Sequence, residues 1–145
     1  EDGRRRVPPP ARARAVVGAA APGRLRAVHA ALAAATPPTD PDRRAWHRAA
    51  AVIGPDAQVA TDLDGVSHRA RSRSAYDVAA TALERAGWLS VSATERVDRL
   101  VAAAECAWIA GPGERALTLL GHVGEKTATA VALRRPHRDR IRGAT

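Results

Sequence analysis

Residues 94–110 read Thr94-Glu95-Arg96-Val97-Asp98-Arg99-Leu100-Val101-Ala102-Ala103-Ala104-Glu105-Cys106-Ala107-Trp108-Ile109-Ala110, and this stretch decides the fold. Val97, Leu100, Val101, Ala104, Trp108 and Ile109 recur at intervals that place them on one face of an α-helix. No Gly or Pro interrupts the run, and Gly111-Pro112-Gly113 closes it at a sharp turn. A second helical pattern follows over residues 114–123 and loosens at Gly124.

The same reading extends toward the amino terminus. Residues 74–86 predict a helix with Gly87 just past its end, where glycine accommodates the left-handed backbone. Before it, Gly54-Pro55 closes one helix and opens the next, which runs to about Ser72 through Val59, Leu63, Val66 and Ala70. Asp40-Pro41 is an N-cap followed by proline at the first helical position. It starts a helix with the stripe Trp46, Ala49, Ala50 and Ile53. Residues 24–35 carry Leu25, Val28 and Leu32 and end at Thr36-Pro37-Pro38, and residues 11–20 form a shorter pattern closed by Pro22-Gly23. Seven short helices are expected, each too short to be stable alone, so they must stack. The fold class is all-α.

Composition agrees. Of 145 residues 35 are Ala, with no Phe, no Met, three Trp and one Tyr. Alanine is the strongest helix former, whereas a sheet wants β-branched and aromatic residues, so an all-β fold is excluded. A single cysteine, Cys106, excludes a disulfide-stapled fold. No apolar run reaches the length of a membrane span, and the opening Glu1-Asp2-Gly3-Arg4-Arg5-Arg6 has no apolar stretch behind it to make a secretory signal. A cytoplasmic protein without membrane contact is therefore expected. The missing methionine predicts an excerpt of a longer polypeptide, and 22 Arg against one Lys points to a GC-rich genome.

A repeat is visible. Tyr76-Asp77-Val78-Ala79-Ala80 with Leu83 corresponds to Gly113-Glu114-Arg115-Ala116-Leu117 with Leu120 at a constant offset of 37 residues, and Val66 and Ala70 map onto Ala103 and Ala107. The spacing suits a helix–turn–helix repeat, whose ideal period is about 34 residues. Ala104, Gly111 and Ala116 stand where small residues let two helices approach, and this pattern resembles the tetratricopeptide (TPR) repeat. Stacked antiparallel, TPR-like helical hairpins are the expected architecture, because one unit cannot cover its own apolar faces.

The net charge of +8 is unevenly spread. Residues 1–48 carry ten Arg against four acids, residues 49–121 seven Arg against nine, and residues 122–145 five Arg and Lys126 against two. Basic ends can hold phosphates by counterion release. This supports an alternative reading, a self-standing basic helical module that binds nucleic acid through its arginine-rich ends. No interleaved aromatics or known reader motif accompany them.

Asp40-Pro41-Asp42-Arg43-Arg44-Ala45-Trp46-His47, Gly54-Pro55-Asp56, Ala82-Leu83-Glu84-Arg85-Ala86, Leu100-Val101-Ala102-Ala103-Ala104-Glu105 and Glu114-Arg115-Ala116-Leu117 together resemble the linker region of large ATP-binding transcription regulators of the LuxR class. These actinobacterial-type proteins belong to the signal-transducing STAND ATPase group. Arg24-Leu25-Arg26-Ala27-Val28-His29 is similar to the helix that follows the ATPase in that family, and the likeness runs over residues 15–123. Pro10-Ala11-Arg12 departs from the family's usual His-Pro-Leu opening. The resemblance implies a scaffold between a nucleotide switch and a DNA-reading helix-turn-helix, neither of which this sequence contains. ATP would belong to the parent protein only, and DNA would be met only through that helix-turn-helix.

Candidate chemistry is sparse. Gly121-His122-Val123-Gly124-Glu125-Lys126-Thr127 contains a Lys-Thr, but a P-loop needs glycine where Glu125 and Leu120 stand. Asp62-Leu63-Asp64-Gly65 resembles part of a calcium loop whose first and last ligands would fall on Ala60 and Arg71. Cys106 has no histidine one turn away and reads as a buried, inert thiol. His29 and His47 are isolated on their helices, and no histidine spacing matches a metal site. Asp40, Asp42 and Asp56 sit at helix starts, where carboxylates meet orphan N–H groups. Trp46 and Trp108 read as core filler, while Trp88 falls in a turn. No catalytic, cofactor-binding or metal-binding residue is assigned, and no enzymatic activity is expected.

The chain thus divides into a disordered basic arm (1–10), a helical segment that in the family follows the ATPase (11–53), TPR-like hairpins (54–123) and a basic tail of uncertain order (124–145). The expected role is non-catalytic: coupling of a signal or protein partner, or of other domains of the same regulator, to transcription control.

Overall fold

The computed structural model describes the backbone of residues 11–111 and 113–134, and the side chains of residues 21–111 and 113–124. The basic arm 1–10 and the last eleven residues of the tail lie outside the described residues. The protein is all-helical: α1 (Ala11–Ala35), α2 (Pro41–Ala51), α3 (Ala57–Ser72), α4 (Tyr76–Leu89), α5 (Ala93–Ala110) and α6 (Glu114–Arg134). No strand occurs among the described residues, and no helix among them is long and apolar enough to cross a membrane. The chain splits into two compact units between Ile53 and Gly54.

In the first unit α1 packs on α2. Where two helices were expected over residues 11–35 there is one, with Pro22 inside it. Proline costs one backbone hydrogen bond and strains the turn before it, but the strong helix formers around it, Ala19, Ala20 and Ala21 before and Arg24, Leu25, Arg26 and Ala27 after Gly23, carry the helix through. The Asp40 side chain accepts from the Arg43 N–H at 3.2 Å, with Pro41 at the first helical position as expected. Ala45 and Ala49 are the buried residues of α2, Trp46 is half-buried, and Ile53 is exposed. The stripe is therefore rotated by about one residue from the expected one. Small alanines face α1, and the bulkier Trp46 lies at the edge of the contact.

In the second unit α3 packs on α4, α4 on α5 and α5 on α6, joined by the short connections 73–75, 90–92 and 111–113. α3 and α5, and likewise α4 and α6, recur close to the offset visible in the sequence. Asp56 caps α3 by accepting from the Val59 N–H at 2.9 Å, and Val59, Leu63, Val66 and Ala70 are buried as their spacing predicts. Ser74 adopts φ +59° between α3 and α4. Its N–H donates to Arg71 O at 3.0 Å and the Ala75 N–H to Ala70 O at 2.9 Å. This pair of bonds is a Schellman motif with serine where glycine is usual.

Gly87 does not end α4; it lies inside the helix and is buried. A Cβ there would stand 3.0 Å from Leu100 Cγ and 3.1 Å from Leu100 Cδ2, so the missing side chain is what lets α4 and α5 touch. Trp88 accordingly sits on the helix, half-buried against the core. The carbonyls at the end of α4 are satisfied from outside it. The Asp56 N–H donates to Leu89 O at 2.8 Å, Arg96 donates to Gly87 O at 3.2 Å and to Ser90 O at 3.0 Å, and the buried Ser90 hydroxyl donates to Ala86 O at 2.8 Å. Nor does Gly124 stop α6, which continues to Arg134.

Candidate interaction surface

The core of the second unit is built mainly from alanines. Leu100, Ala103, Ala104, Cys106 and Ala107 of α5 and Ala116 and Leu119 of α6 are buried. Because these inward positions are small, α5 and α6 approach closely, and the larger apolar residues beside them are left outside. Trp108 is 67% exposed, Ile109 60%, Leu117 67% and Leu120 46%. Together with Val101, Ala104, Glu105 and Ala116 they line a groove of about 610 Å³ between α5 and α6. Trp108, expected in the core, is instead a wall of this groove. The helix is turned so that the 103–107 alanine face, and not the Trp108–Ile109 face, meets its neighbours.

Gly113 fixes the indole. A Cβ on Gly113 would come within 2.6 Å of Trp108 Cζ3, so the ring lies against the turn that starts α6. Among the described residues lining the groove, Glu105 is the one that is charged. It is exposed, and no hydrogen bond or ion pair ties it to another described residue. Three other acids of this unit are engaged by arginines. Asp64 and Glu95 both accept from Arg99, and Glu84 accepts from Arg115 at 2.8 Å. Hydrogen bonding to Asp64, above all, raises the Arg99 guanidinium further above its ordinary value, against a smaller opposing effect of burial.

Cys106 is buried in the core. Asp62 bonds to Gln58 and Asp64 to Arg99 on the regular helix α3, so both carboxylates have partners and the calcium-loop likeness is not reproduced. Residues 121–127 lie within α6, and a Lys-Thr on a continuous helix lacks the strand-to-helix turn of a phosphate cradle. His29 and His47 are not isolated, because their Nδ1 atoms approach to 3.1 Å across α1 and α2. No group of three or more metal-ligating side chains occurs among the described residues. His122 Nδ1 is buried with no hydrogen-bond partner among the described residues, and its ring makes an edge-to-face pair with Trp88, centroids 5.4 Å apart.

Residue types and spacing alone do not mark this groove. The available signal was the adjacency of Trp108-Ile109 to an alanine-rich packing face, since a helix buries the side that permits the closest approach. Compared with family models, with characterised proteins and with solved structures, the chain matches none.

Proposed function

We propose that this chain is a non-catalytic segment of TPR-like helical hairpins from a LuxR-class, STAND-type ATP-dependent transcription regulator. In this reading it couples the binding of a protein, or of another domain of the same regulator, to transcription control. The observation that carries the reading is the α5–α6 groove. It presents Trp108, Ile109, Leu117 and Leu120 to solvent on one continuous face, and contiguous exposed apolar surface of this kind is characteristic of contact sites. The order of motifs across residues 15–123 supports the regulator assignment, and the recurrence of α3–α4 as α5–α6 supports the hairpin repeat.

Coupling requires that the partner bind one packing arrangement of the helices better than another. The groove suits this role because it is built from two helices at once, so whatever fills it responds to their separation.

The test is chromosomal replacement of Trp108 and Leu117 by Asp in the native host, with the protein's abundance matched to the parent strain. The expected result is an altered transcript profile with the protein still helical by circular dichroism. An unchanged profile at equal abundance refutes the regulatory reading.

A further inference from the structure

We propose that the α5–α6 groove receives an amphipathic α-helix of a partner protein, which lays an apolar stripe on Trp108, Leu117 and Leu120 and brings an arginine or lysine to Glu105. This identifies the occupant of the contact surface proposed above and rests on that reading.

The second unit already displays how such a helix is received. α4 packs between α3 and α5, and its Ala80 and Leu83 are 0% and 6% exposed. One repeat later the same positions are Leu117 and Leu120, 67% and 46% exposed. No described helix does for α6 what α5 does for α4.

Charge follows the same progression. Each arriving helix gives an arginine to an acid on the helix two places before it. Arg99 of α5 reaches Asp64 of α3, and Arg115 of α6 reaches Glu84 of α4, both at 2.8 Å. The next acid in that series, on α5 and at the groove, is Glu105, which has no such partner among the described residues. A helix arriving on α6 therefore finds an apolar seat with one carboxylate beside it. Isologous pairing with a second copy fits less well, because the described groove lining holds no arginine or lysine to meet Glu105.

The experiment uses the full chain and two synthetic helices of α5's length, 18 residues. Both carry the same leucine stripe at helical spacing, and they differ only in an Arg or a Glu flanking it. Binding is read by anisotropy of the labelled helix, and self-association by sedimentation. The Arg helix should bind about fivefold to tenfold more tightly than the Glu helix at low ionic strength, and Glu105→Arg should invert that order. Equal binding of the two helices, both lost in Leu117→Asp, overturns the basic partner and leaves the groove as a contact surface. Failure of either helix to bind, with Leu117→Asp changing nothing, removes the contact surface as well. A dimer that excludes both helices and is abolished by Leu117→Asp assigns the groove to a second copy and overturns the proposal.

Discussion

The guanidinium of Arg99 grips the carboxylate of Asp64 across 35 residues of sequence, with Nε 3.1 Å from both oxygens and Nη2 2.8 Å from one of them. Its remaining nitrogen, Nη1, donates to the Ser90 hydroxyl at 2.7 Å and to Glu95 at 3.2 Å. One side chain thus links α3, the end of α4 and α5.

Arg99 is 15% exposed and Asp64 38%, so solvent screens the pair in part. Arg99→Ala is expected to cost about 2 kcal/mol in urea unfolding, and a double-mutant cycle with Asp64→Ala should return a coupling of about 1 kcal/mol. Arg99→Lys, which loses the fork geometry, should recover less than half of the loss. The folded-state value of Arg99 is raised. Its contribution is therefore fully present below the ordinary arginine value and is lost only as pH rises through the raised one. From the arginine side, the coupling should stay constant from neutral to mildly alkaline pH.

Two classes of helical glycine should respond in opposite directions. Gly87→Ala gains about 1 kcal/mol of helix propensity but brings a methyl to about 3.0 Å from Leu100, which is fully buried and must shift to admit it. Overpacking should win, giving a net loss of about 1–2 kcal/mol. Gly121 and Gly124 of α6 have nothing within 4 Å of an added Cβ, so Gly121→Ala or Gly124→Ala should each stabilise by about 0.5–1 kcal/mol. Thermal melts of the three variants check the contrast.

The helices were legible because their punctuation is local. Asp40-Pro41 and Asp56 cap the helices they were expected to cap, and the 59, 63, 66, 70 spacing buries the four residues it named. What failed depends on neighbours. Pro22 and Gly87 read as stops when taken alone, yet one is outweighed by the helix formers around it and the other makes room for Leu100. The groove was hidden for a related reason. In an ordinary chain the largest apolar residues mark the inside, but here the alanines pack, so Trp108 and Leu117 fall outside. Periodicity finds a face; only the partner helix decides which edge of it is buried.

Ser74 bears left-handed strain in the Schellman turn between α3 and α4. That conformation costs an L-residue about 1 kcal/mol relative to glycine. Ser74→Gly should therefore raise stability, by up to about 0.5 kcal/mol after the added freedom of the unfolded chain is subtracted. A rise in urea midpoint at unchanged slope would verify it.

Trp108 provides a direct test of which face of α5 is buried. Truncating a core tryptophan costs about 3–5 kcal/mol. With its ring 67% exposed, Trp108→Ala should cost less than about 1.5 kcal/mol, chiefly from the lost contact with the turn at Gly113. Leu100→Ala, at a residue with no exposure, should cost about 2–5 kcal/mol. If the two variants melt together, the orientation of α5 is wrong and the groove with it.

His122 carries a polar atom that the fold does not use. Its Nδ1 is buried and has no partner among the described residues, while the ring makes an edge-to-face contact with Trp88, at an interplanar angle of 74°. A buried polar atom without a hydrogen bond costs about 1–3 kcal/mol, whereas an aromatic pair gains about 0.5–1.5 kcal/mol. His122→Phe keeps the second and removes the first, so it should raise the melting temperature. His122→Asn discards the ring and keeps the buried polar group, and should lower it. If His122→Phe lowers the melting temperature instead, Nδ1 is satisfied in solution, with bound water the natural donor or acceptor.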